Sequence, residues 1–224
     1  MARTSWGGAL SDLVKVPYAD DMLVLVPEGI APHSLASASD NLPDAWRTVG
    51  PYLQQQPESP VLIVGGGAWS IGLYAVAIAV ALGSEWVDYL DSDPERLELA
   101  QSLGANPLEG PIPESLGPYP ITVDASSDPV GLGCALRSVE PGGVCTSVGI
   151  YFSKEVPIPL FQMYATGVTF QTGRINARAD IPQILALVES GSLKPERVTT
   201  KLVHWAEASE ALLDRSAKVV IVRD

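Results

Sequence analysis

Residues 61–82 read VLIVGGGAWSIGLYAVAIAVAL, and no charged side chain occurs among them. The four residues before the glycines are apolar on both faces of a strand. Ile71–Leu82 is apolar on every side of a helix, and Gly83 follows as its C-terminal cap. A strand of that kind is buried on both faces, and a helix of that kind is packed between layers. A turn made of Gly65, Gly66 and Gly67 forces the two to be neighbours. The pattern predicts a layered α/β fold with this strand inside its sheet.

The rest of the chain repeats the theme. Trp86–Leu90 reads as a second strand and Pro94–Leu103 as a second helix closed by Gly104. Ile121–Ala125 is a strand, Val130–Val139 a helix, and Gly143–Gly149 and Val168–Gly173 are two more strands. Strand and helix thus alternate from about residue 60 to 173, the signature of a doubly wound parallel sheet. The proline- and glycine-rich stretch Asn106–Pro120 reads as loop. Ahead of the sheet, Val14–Val26 reads as short strands punctuated by Pro17 and Pro27, and Ala36–Gln55 carries helical spacing. After it come a helix at Ile181–Glu189, a strand at Val198–Val203, a helix at Ala206–Asp214 and an end strand at Val219–Val222.

Composition removes several function classes. With 14 Lys+Arg against 26 Asp+Glu and a net charge of −12, the chain lacks the basic footprint that nucleic acid requires. The longest uncharged apolar stretch, 12 residues, falls short of the roughly 20 of a membrane span. No apolar leader follows Arg3, Trp6, Gly7 and Gly8, so a cytoplasmic location is expected. Cys134 and Cys145 fit neither a disulfide framework nor a metal knuckle and read as buried small residues. With only His33 and His204, a four-cysteine or three-histidine zinc centre within this chain is excluded.

The glycine turn is the first candidate site. A strand ending in glycines and opening into a helix lets backbone N–H groups and the helix N-terminus approach a pyrophosphate. Two registers of the G-x-G-x-x-G pattern are open. Gly65 and Gly67 can be the first two glycines with Ser70 in the third place, or Gly67 and Gly72 the first and third with Trp69 in the middle. Asp91, 24 residues beyond Gly67, stands where an acid would accept the adenosine ribose hydroxyls, which favours NAD over NADP. Asp88 competes for that role but lies inside the strand. The plain alternative is a tight turn followed by a helix-capping aspartate.

Several segments together resemble the zinc-containing medium-chain alcohol dehydrogenases. They are 6–30, ASASDNLPDAWRTV (36–49), residues 61–83, YLDSDPERLELAQSLGA (89–105), VDASSDP (123–129) and LRSVEPGGVCTSVGIY (136–151), in the family's order. The resemblance implies a Rossmann fold over 36–175. It makes residues 1–35 a β-rich remnant of a GroES-like catalytic domain and has 176–224 return to that domain. It implies a cofactor-binding set of Gly65, Gly67, Ser70, Ile71, Gly72, Asp91, Arg96, Ala125, Val148, Gly149, Ile150, Gly173 and Arg174. Asp40 falls where the family places a third catalytic zinc ligand, Cys in some branches and Asp in others. The family's other zinc ligands are missing, so a truncated chain is expected, and a lone Asp40 cannot hold zinc against water.

The activity this implies is hydride transfer between a small alcohol or aldehyde and NAD, by a homodimer or homotetramer. Val168–Gln171 is the expected edge strand for self-association. Two other functions compete. One is a dinucleotide-binding module without turnover. The other is an S-adenosylmethionine methyltransferase, against which Val64, where an acid would be expected, and the matches outside the turn both count. Asp40 reads equally as a helix-start residue, His33 as a surface residue and His204 as a strand end. Trp6, Trp46, Trp86 and Trp205 read as packing, whereas Trp69 sits in the phosphate turn itself.

Overall fold

The structure, a computed structural model, describes residues 8, 10–214 and 218–223; Trp6, at the start of the first matching segment, lies outside them. Six parallel strands form one sheet in the order β3-β2-β1-β4-β5-β6. They are β1 (Val61–Val64), β2 (Val87–Asp91), β3 (Asn106–Glu109), β4 (Tyr119–Asp124), β5 (Val139–Ser147) and β6 (Thr169–Thr172). β1 lies at the centre, pairing Val61 with Val87 on one side and with Ile121 on the other. The doubly wound sheet expected from the alternation is present, and chain direction across it reverses between β1 and β4.

Period-two alternation sorts the strand side chains between two cores. Val61 and Ile63 join one cluster with α2 (Asn41–Gln55), α3 (Trp69–Ala81) and α4 (Pro94–Leu103), to which α7 (Ala177–Glu189) adds Ile184. Leu62 and Val64 join the other with α5 (Pro129–Arg137) and Met163 of α6 (Leu160–Thr166). Helix α3 is buried along nearly its whole length, as its uninterrupted apolar sequence requires. Helix α2 buries Leu42, Ala45, Trp46, Val49 and Leu53 at helical spacing, and Asn41, Asp44, Arg47, Pro51 and Tyr52 are partly buried.

Four sequence readings need correction. Val14–Val26 contains no strand: its described residues are coil, turn and the four-residue helix α1 (Ala19–Met22), with Leu13 and Leu25 88% and 93% exposed. Among the described residues no partner strand lies beside it, and an unpaired strand leaves its backbone groups unsatisfied. The β structure outside the large sheet comes from the C-terminal end, where β7 (Lys201–His204) pairs in parallel with β8 (Val219–Val222). Asn106–Pro120 is not all loop, because β3 pairs with β2; Pro107 is tolerated on an edge strand. Residues 206–214 form a 3-10 turn, Trp205–Glu207, and the short α8 (Ala208–Ala211). Helix α6 has no counterpart in the sequence pattern. None of the described helices is long and apolar enough to cross a membrane.

Candidate functional site

The glycine turn sits at the C-terminal end of β1, beside the point where strand order reverses. Ligands of open α/β sheets bind in that crevice. Three backbone hydrogen bonds hold it: Gly65 N to Leu90 O at 2.8 Å, Gly67 N to Ser126 O at 2.7 Å, and Ala68 N to Ala125 O at 2.9 Å. Gly66 has φ +145°, and a Cβ there would stand 2.7 Å from Ser126 O. This position, rather than its two neighbours, carries the strictest demand for glycine. A Cβ on Gly67 would press to 2.8 Å from Ser127 Cβ.

The glycine that lets α3 approach the sheet is Gly72, whose missing Cβ would lie 3.2 Å from Ala125 Cβ. It comes five residues after Gly67, the first-to-third spacing of the register that starts at Gly67, and two residues beyond Ser70, the third place of the register that starts at Gly65. Trp69 is the first residue of α3 and leans on the core, while Ser70 faces the crevice. Gly72 and Ala125 meet inside this helix–sheet contact.

Two clefts flank the turn. The smaller, about 320 Å3, is lined by Gly65, Gly66, Asp91, Ser92, Arg96 and Asp128 among others. Asp91 is the last residue of β2 and is buried. Its Oδ1 accepts from Ser92 N at 2.8 Å, Asp93 N at 3.0 Å and Arg96 Nη2 at 2.7 Å. Its Oδ2 accepts from Arg96 Nε at 2.9 Å and from the Tyr89 hydroxyl at 3.0 Å. Tyr89 lies wholly under the turn, and burial followed by the Asp91 charge holds its hydroxyl well above the ordinary tyrosine value.

The larger cleft, about 1040 Å3, opens over the ends of β5 and β6. It gathers Gly67, Ser70, Ile71, Val148, Gly149, Ile150, Gly173, Arg174 and Asp40, nine of the expected residues. Behind the lining residue Ser147 lies Asp124, fully buried at the end of β4. Asp124 accepts from Ser126 N (3.1 Å), Ser126 Oγ (2.5 Å), Ser147 Oγ (2.6 Å) and the Tyr151 hydroxyl (2.7 Å). On the wall, Arg47 donates to Asp44 Oδ1 at 2.6 Å and to Ser147 O at 3.1 Å. Burial nevertheless raises the Asp44 carboxyl. Asn41, turned so that its oxygen faces the ammonium, accepts from Lys218 Nζ and Ser70 Oγ at 2.8 Å each, and its nitrogen reaches Asp40 Oδ2 at 3.3 Å. Burial lowers the Lys218 pKa.

A metal centre finds less support. Among the described residues no three His, Cys, Asp or Glu side chains converge. Cys134 and Cys145 are buried in the second core, and burial pushes the Cys145 thiol up to about 12. His204 accepts from Ala206 N at 3.2 Å at the end of β7. Asp40 stands at the N-cap of α2 without making a capping hydrogen bond. The described residues do not fit a catalytic zinc. Sequence reasoning missed Gly66, Tyr89, Asp124, Ser147, Tyr151 and Lys218. For Tyr89 a signal existed, since two residues apart on a strand share a face with the acid.

A parallel sheet in this order, with a glycine turn and two clefts at its switch point, defines a doubly wound fold of the dinucleotide-binding class. Comparison with known proteins gives the family. Residues 70–190 match the family described as zinc-binding dehydrogenase, and the chain belongs to it. A Mycobacterium tuberculosis protein named as a probable zinc-binding alcohol dehydrogenase is 27% identical over 95% of this chain and 56% of its own length. Zinc-type alcohol dehydrogenase B of Aspergillus flavus is 29% identical over 91% of this chain and 50% of its own. Among solved structures, alcohol dehydrogenase TADH from Thermus sp. ATN1 superposes with a TM-score of 0.82 at 31% identity, covering 97% of this chain and 67% of that one. The chain spans about half the length of the curated relatives it matches.

Proposed function

We propose that the chain is the cofactor-binding part of an NAD-linked oxidoreductase acting on a small alcohol or aldehyde. The carrying observation is the Gly65–Gly67 turn, whose missing side chains leave room against the backbone at the β1/β4 switch point. The proposed contacts divide along it. Gly65, Asp91 and Arg96 face the adenosine side. Gly67, Ser70 and Ile71 face the pyrophosphate, and Val148, Gly149, Ile150, Gly173 and Arg174 the nicotinamide, with Gly72 and Ala125 setting the helix approach. Lys218, held by Asn41 beside Ser70, adds a cation at the same helix start.

When bound, the nicotinamide ring supplies the hydride chemistry, and the chain's own part is to place that ring over the larger cleft. Because the described residues assemble no zinc site, no step runs through zinc; Asp40 is one family-position donor. Residues 36–175 form the dinucleotide-binding unit in this reading, and 1–35 and 176–224 belong with a catalytic domain. The edge position of β6 supports pairing with a second copy, as a dimer or tetramer. The two buried free thiols support a reducing, cytoplasmic setting. Titration with NADH, followed by nicotinamide fluorescence, tests the core of the proposal. Saturable binding that is lost in Gly67→Val while the circular dichroism spectrum is kept is the expected result. Unchanged affinity in that variant would make the turn merely structural.

A further inference from the structure

The acid at the end of β2 is expected to accept the two ribose hydroxyls, yet its carboxylate has no capacity left. A carboxylate offers about four lone-pair sites, and Asp91 already receives five donors. Its side chain is 2% exposed, against 26% for Arg96, so the guanidinium offers the cleft far more surface than the acid does. Two of the five donors are backbone N–H groups fixed by the start of α4, but the other three belong to two side chains. Arg96 is free to swing from its partly exposed position. Tyr89 is not: its ring is locked beneath the turn, where a Cβ on Gly65 would come within 2.5 Å of its hydroxyl.

We propose that Tyr89 and Arg96 form a clamp that withholds the Asp91 carboxylate from the ribose, so that selectivity at the 2′ position depends on opening the clamp. This rests on the proposed dinucleotide binding and deepens it. With the clamp closed, the carboxylate charge is matched by the guanidinium, and a 2′-phosphate meets an ion pair instead of a bare anion. With it open, the freed carboxylate accepts the 2′,3′-diol and repels the phosphate. Asp93, whose Oδ2 is 3.6 Å from Arg96 Nη1, and Asp128 on the same rim add negative charge that substitutions at Tyr89 or Arg96 leave in place. Tyr89 is thus a positioning residue: it acts on the ribose through Asp91.

The test is calorimetric binding of ADP-ribose and 2′-phospho-ADP-ribose to the full chain and to Tyr89→Phe and Arg96→Gln, with melting temperatures on the same samples. Tyr89→Phe keeps the ring and removes one donor from Oδ2. It is expected to bind ADP-ribose about threefold more tightly and to shift the ratio toward the unphosphorylated ligand. Arg96→Gln is expected to move that ratio the same way by about tenfold or more. A role confined to stability would lower the melting temperature without moving the ratio. An unchanged ratio in both variants, or weaker ADP-ribose binding by Tyr89→Phe in a folded sample, overturns the clamp. Failure of every protein to bind either ligand overturns the dinucleotide reading itself, a distinct result.

Discussion

Two buried aspartates bound the glycine turn, and the chain neutralises them in opposite ways. Asp91, at the end of β2, is held by a cation that reaches in from α4 and remains partly exposed. Asp124, at the end of β4, is fully buried, and its hydrogen-bond donors are neutral: one backbone N–H and three hydroxyls. A guanidinium on a flexible stem can leave. Hydroxyls on β5 and on the segment after it cannot leave without moving that segment. The adenosine side is therefore built to adjust, while the other side rests on a hydrogen-bonded network behind its lining.

The largest effect expected from this contrast is on Asp124. Asp124→Ala should cost about 2–4 kcal/mol of unfolding free energy, because the buried Ser126 and Ser147 hydroxyls and the partly buried Tyr151 hydroxyl lose this acceptor together. Asp124→Asn, which keeps one acceptor oxygen, should cost less. Urea denaturation measures both, and a loss below about 1 kcal/mol for the alanine variant would show that the network is not fixed by this carboxylate. Next in size is the turn. Gly66→Ala must hold an L-residue at φ +145° with its Cβ against Ser126 O, a strain of about 1–3 kcal/mol. Its ADP-ribose affinity should fall as the turn is displaced. An alanine variant with unaltered melting temperature and binding would mean the turn relaxes freely.

Alkaline pH separates the two sides more gently. Burial and a neighbouring carboxylate raise the hydroxyl pKa of Tyr89 beside Asp91 and of Tyr151 beside Asp124 above the unfolded value of 10.0. Each phenol retains its proton longer in the folded chain. The stability it lends is complete below pH 10 and is lost as pH climbs from there toward the folded pKa. For fully buried Tyr89 the slope approaches about 1.4 kcal/mol per pH unit; Tyr151, partly exposed and so more screened by solvent, should contribute less. Tyr89→Phe should flatten the alkaline limb of a stability–pH curve more than Tyr151→Phe does. Equal flattening would remove the contrast in burial between the two sides.

The sheet could be read from the sequence because its signal is redundant. VLIV and IGLYAVAIAVAL have no polar face, so no exposed placement competes with the buried one. The edges lack that redundancy. Asn106–Glu109 carries a proline and two polar residues, and it becomes a strand because β2 offers an unpaired edge, a fact of three-dimensional structure. The site shows the same division. Asp91 followed from its spacing after the glycine turn and Gly149 from the family resemblance, and the donors that saturate Asp91 followed from neither. Tyr89 reads as one more core aromatic until the turn is folded over it, and Lys218 lies 148 residues from Ser70, its neighbour through Asn41.

The smallest effect concerns two aspartates at helix starts, and it sharpens what Asp40 is for. Asp93 caps α4: its side chain accepts from Glu95 N at 3.0 Å and Arg96 N at 3.2 Å. Asp40 occupies the same position on α2 with φ −148° and makes no capping bond. Its carboxylate instead lies on the wall of the larger cleft, 3.3 Å from the Asn41 nitrogen. A working cap is worth about 0.5–2 kcal/mol, so Asp93→Ala should cost about 1 kcal/mol and Asp40→Ala under about 0.5 kcal/mol. The two variants remove the same side chain at equivalent helix positions, so their difference reports the capping bonds together with the Asp93–Arg96 ion pair. A loss for Asp40→Ala matching that for Asp93→Ala would make Asp40 a helix-start residue. A negligible loss would leave its carboxylate to act as an acceptor toward the cleft.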